Sequence, residues 1–83
     1  MEHYLIIARS ITQAQRFEST LSKAGIPSRL FRAPRELAEW GCAYAVQISE
    51  RLLPQALTAL HRGGLSPVKI YLSNQEGYRE AVL

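Results

Sequence analysis

Cys42 is the one cysteine in the 83-residue chain, and a thiol is the side chain here best suited to nucleophilic chemistry. A lone cysteine has two ordinary uses. It packs as a small apolar residue, or it reacts as a thiolate where nearby positive charge favours ionisation. The other candidates are weaker. His3 and His61 are the only histidines, and with a single cysteine they offer none of the paired spacings of zinc sites, so neither a metal nor a cofactor is expected. Glu36 and Glu39 stand three apart and could share a helical face, but no histidine accompanies them locally and a solvated pair explains them. Gly63-Gly64 follows a helical stretch instead of leading a strand into a helix, which marks a terminator and not a phosphate loop. Attention therefore falls on Cys42, as a group carrier or packing residue more than as part of an enzyme's catalytic set.

The elements that must position it follow from periodicity. His3 to Arg9 is rich in β-formers and too short for a helix, so it reads as a buried strand. Ser10 and Gln13 have capping-box spacing and start a helix whose Ile11, Ala14, Phe17, Leu21 and Ala24 recur on one side until Gly25 and Pro27 end it. Ser28 to Arg32 is a second strand. Ala33 to Trp40, with Pro34 at its start, predicts a helical insert of one or two turns anchored by Leu37 and Trp40. Cys42 to Ile48 alternates as a third strand, about Leu52 to Arg62 gives a second helix, and Val68 to Leu72 a fourth strand. Residues 73–83 read as a polar tail with an apolar tip.

This order predicts one α+β domain over residues 1–83, a ferredoxin-like βαββαβ sandwich with a four-stranded antiparallel sheet and two helices on one face. In that topology the end of the first strand lies beside the start of the third. Arg9, Ser10 and the first helix's N-terminus are thereby expected near Cys42, with Arg35 and the Gly41 backbone in reach, all favouring a thiolate or another anion. The C-terminal end of the insert helix opposes them. The sheet's other face is expected to be open and apolar, which suggests a homodimer.

Composition excludes several classes. Hydrophobic residues are 47% and charged residues 20%, without the biased tracts of a disordered chain, and no apolar run is long enough to span a bilayer. The strand-like start leaves no room for a signal peptide, and one cysteine permits no intramolecular disulfide staple, so a cytoplasmic location is expected. A net charge of +3 permits an anionic partner without requiring one. Gly41-Cys42-Ala43-Tyr44 compares poorly with the aromatic strand of RNA-recognition motifs, since Tyr44 alone falls where a stacking aromatic is wanted. Nucleic acid is therefore a weak expectation.

Tyr4-Leu5-Ile6-Ile7, Ala24-Gly25-Ile26-Pro27 and Pro34-Arg35-Glu36-Leu37 a few residues before Gly41-Cys42-Ala43, with Gly64-Leu65 and Ile70-Tyr71 later, resemble the small bacterial selenium/sulfur carrier protein-like family. The resemblance runs from about His3 to Tyr71. It implies that Cys42 is the carrier thiol and that Pro34, Arg35 and Leu37 are its preceding motif. Ala43 stands where the family pattern leads us to expect glycine. The implied activity is group transfer: Cys42 takes up sulfur or selenium as a persulfide-like adduct and yields it to a partner enzyme. The alternative is a regulatory or protein-interaction module in which Cys42 only packs, with RNA binding through the sheet a further one.

Overall fold

The computed structural model describes residues 2–38, 43–67 and 69–81. Its elements are β1 (His3–Ala8), α1 (Ile11–Lys23), β2 (Arg29–Arg32), a 3₁₀ turn (Arg35–Leu37), β3 (Tyr44–Ser49), a second 3₁₀ turn (Glu50–Leu52), α2 (Leu53–Arg62), β4 (Lys69–Asn74) and β5 (Gly77–Glu80). Among the described residues the strands form one sheet in the order β2-β3-β1-β4-β5, every neighbouring pair antiparallel. The chain is thus α+β, as expected, with β1 at the centre of a five-stranded sheet where four strands were predicted.

The fifth strand corrects the reading of residues 73–83 as a tail. Ser73 and Asn74 prolong β4, and Asn74 Oδ1 accepts the Glu76 N–H at 2.9 Å to make the turn into β5. Ala81 then donates its N–H to the Ile70 carbonyl at 2.8 Å. The expected strand from Val68 to Leu72 is observed as Lys69–Asn74, Val68 lying outside the described residues.

Both helices bury their apolar sides against the same sheet residues. Phe17 and Leu21 of α1 and Leu53, Ala56 and Leu60 of α2 form one core with Ile6, Val46, Ile48 and Ile70. Each helix closes through a Schellman arrangement. Ile26 N–H reaches the Leu21 carbonyl and Leu65 N–H the Leu60 carbonyl, both at 2.9 Å, with Gly25 (φ 77°) and Gly64 (φ 71°) in the left-handed region this turn demands.

The other face of the sheet is not open in the way the sequence suggested. Leu5 and Ala45 point to it from the central strands, yet they are 1% and 0% exposed. Ile7, Ala33, Leu37 and Ala43 complete a second buried cluster, with Phe31 and Tyr71 at its margin. The insert lies back over this face through Leu37, which removes much of the apolar surface on which the homodimer was argued. Among the described residues the insert, expected as a helix of one or two turns, holds the single 3₁₀ turn Arg35–Leu37, with Glu39 and Trp40 outside them.

Candidate functional site

The site expected around Cys42 is built from the sheet end where β1 and β2 finish and β3 and β4 begin. Register fixes this end. Ala8 pairs with Tyr44, Arg32 pairs with the same Tyr44, and Ile7 pairs with Lys69. The predicted approach of the first strand's end to the third strand's start is therefore present. Beyond the last ladder position Ala33 N–H donates to the Ala43 carbonyl at 2.9 Å, carrying the contact between these two segments to within one residue of Cys42 in sequence. Gly41 and Cys42 themselves, with Glu39 and Trp40, lie outside the described residues.

Arg9 and Ser10 occupy the junction between β1 and α1, and both are exposed. Ser10 is the N-cap in extended conformation, φ −142° and ψ 160°, and its Oγ accepts the Gln13 N–H at 3.1 Å. Gln13 Oε1 reaches back one residue further than the capping-box pattern predicts, accepting the Arg9 N–H at 2.8 Å. The first turn of α1 carries no acidic residue, so nothing on the helix neutralises the positive end of its dipole there.

Pro34 and Arg35 sit on the insert. Pro34 is half-buried and extended, φ −56° and ψ 149°, and its carbonyl accepts the Leu37 N–H at 2.9 Å. Arg35 is exposed, and its carbonyl accepts the Ala38 N–H at 3.2 Å. The helix end expected just before Cys42 lies outside the described residues, which reach Ala38 on this side. Three residues in a 3₁₀ turn that closes at Leu37 generate little of the macrodipole of a regular helix.

Away from this end, sequence reasoning missed a carboxyl pair. Glu50 is held above its ordinary value of 4.5, first by a side-chain hydrogen bond with Glu2, then by desolvation and by the charge of Glu2; the charge of His3 acts the other way. Asn74 Nδ2 donates to Glu2 Oε1 at 3.5 Å. The two glutamates are 48 positions apart, and only the pairing of His3 with Ser49 brings them together. Among the described residues no group of three or more His, Cys, Asp or Glu side chains could hold a metal ion. No helix of the described residues is long and apolar enough to cross a membrane.

A comparison with protein-family models matches residues 3–72 to the family described as "Putative Se/S carrier protein-like". Comparison with curated proteins and with solved structures finds no match.

Proposed function

The chain belongs to the Se/S carrier protein-like family, and from that membership we propose that it carries sulfur or selenium on Cys42 for a partner enzyme. One observation carries the reading: the family match spans Cys42, the only thiol in the chain. Loading transfers the outer sulfur of a donor persulfide. The Cys42 thiolate attacks that sulfur, a new S–S bond forms, and the donor leaves as its thiolate. Delivery is the reverse exchange, with an acceptor nucleophile attacking the outer sulfur and Cys42 leaving as a thiolate. Each exchange conserves electrons, and with no second cysteine the release requires a nucleophile from outside the chain. A partner is thus part of the function, and the chain by itself is a carrier more than an enzyme.

Arg9, Ser10, Pro34, Arg35 and Gly41 are the proposed surroundings of the thiol. The capped start of α1 and the guanidinium groups of Arg9 and Arg35 favour the charged form of an anion at this sheet end. We read the fold as a ferredoxin-like βαββαβ sandwich extended by β5, which the strand order β2-β3-β1-β4 supports. The test is the alkylation rate of Cys42 against pH. The native chain should titrate below the free-thiol value of ~8.5, and Arg9→Ala and Arg35→Ala should each move the midpoint up. A thiol that reacts only after denaturation would mean that Cys42 is a core residue.

A further inference from the structure

We infer that the sheet end formed by the close of β1 and β2 and the start of β3 and β4 is a basic docking surface for an acidic partner protein. This rests on the carrier reading and adds the chemistry of the partner. Arg9 follows β1, Arg32 closes β2, Lys69 opens β4 and Arg35 stands on the turn folded over the sheet. Arg9, Arg32 and Arg35 are exposed, and Lys69 is half-buried. The carboxylates among the described residues of this end are Glu36, beside Arg35 on the same 3₁₀ turn, and Glu80, which closes β5 opposite Tyr71. Arg9, Arg32 and Lys69 each have an interaction of their own. The surface draws on the local balance of charge, four cations against those two carboxylates.

The opposite end of the sheet is mixed, with Arg29 at the start of β2 and Arg51 on the second 3₁₀ turn set against its glutamates. Glu2 precedes β1, Glu50 follows β3, and these two carboxyls share a hydrogen bond. Glu76 lies in the turn between β4 and β5. A molecule with one basic and one mixed end is oriented by a charged partner before contact, and the end that faces an acidic partner is the one next to Cys42 in sequence.

Geometry favours a protein over a small anion or a nucleic acid. Arg32 and Lys69 lie on strands three intervals apart, which at strand spacing spans about 14 Å, the breadth of a macromolecular contact. Ile11, first residue of α1 and two places after Arg9, is 40% exposed and gives the charged rim an apolar contact. Single-stranded nucleic acid is gripped by stacking on successive aromatics, whereas the centre of the face where bases would lie holds Leu5, Ile7 and Ala45, with Phe31 and Tyr71 at its margin.

The experiment compares two disulfide reagents on the native chain, neutral dithiodipyridine and dianionic dithiobis(nitrobenzoate), alongside a titration watched by amide NMR. Relative to a small neutral thiol, Cys42 should prefer the anionic reagent by about tenfold at low salt, and high salt should erase the preference. Replacing Arg9, Arg32, Arg35 and Lys69 together by glutamine should erase it too. A leucine-containing oligoglutamate peptide should shift the amides of Arg9, Ile11, Arg32, Arg35 and Lys69, and oligothymidylate should shift them less. A thiol that reacts with the neutral reagent but shows no anion preference overturns the docking surface and leaves the carrier reading standing. A thiol that reacts with neither removes the carrier reading, and the peptide titration then decides the surface alone. Larger shifts from oligothymidylate than from the peptide also overturn it, in favour of nucleic acid.

Discussion

Ser10 ties the start of α1 to the end of β1 with one hydroxyl. Its Oγ accepts the Gln13 N–H while Gln13 Oε1 accepts the Arg9 N–H, so the pair holds both sides of the junction next to the proposed site. Ser10→Ala should cost about 1 kcal/mol of stability in urea unfolding, and by loosening the capped helix start it should move the alkylation midpoint of Cys42 up. Glu50 makes a separate prediction at the other end of the sheet. Its carboxyl is raised above 4.5 chiefly by the hydrogen bond with Glu2, so the folded state binds a proton that the unfolded state has already released. That contribution to stability is fully present below the unfolded value and is lost as pH rises through the folded one. Melting temperature should therefore fall more steeply with rising pH above 4.5 in the native chain than in Glu50→Gln. Equal slopes for the two would show that Glu50 is not raised by its contact with Glu2.

The insert is the element whose structure differs most from its sequence pattern. Pro34-Arg35-Glu36-Leu37 reads as the opening of a helix, but Leu37 has a better use. By closing the turn at once it buries its side chain on Leu5, Ile7 and Ala45, and the chain gains a second small core. Leu37→Ala should cost about 2–3 kcal/mol, toward the low end for a buried leucine because the site is close to the surface. It should also increase binding of a hydrophobic dye to the folded protein; an unchanged unfolding midpoint would show that the insert does not cover the sheet. The helices, by contrast, were legible. Ser10 with Gln13 marks one start, Gly25 and Gly63-Gly64 mark both ends, and the apolar spacing names Phe17, Leu21, Ala56 and Leu60 as core. Local signals of this kind act within a turn or two, so they are written in adjacent residues. The cover on Leu5, the Glu2 and Glu50 pair and the addition of β5 depend on partners far away in sequence. For β5 a local signal did exist: Asn74 and Gly77 frame the turn before Tyr78, and reading the segment as polar passed over it.

At the scale of the whole molecule, the chain joins a thin core to a basic sheet end. A domain of this length buries only somewhat more than ~60% of the surface its unfolded chain exposes, and its described core is made of small clusters on the two faces of one sheet. Such a scaffold has little room for an enclosed active site, which suits the proposed role of a carrier that meets its partner at a sheet end. Family membership, one cysteine and a basic sheet end support the proposed division of labour, in which the chain supplies the carrier atom and the docking surface and the partner supplies the nucleophile. The most direct test is intact-mass spectrometry of the chain after exposure to a low-molecular-weight persulfide donor. The account predicts a gain of one sulfur atom on Cys42, removed by added thiol and absent from Cys42→Ser. A native chain that gains no mass while free cysteine in the same tube is converted would contradict it.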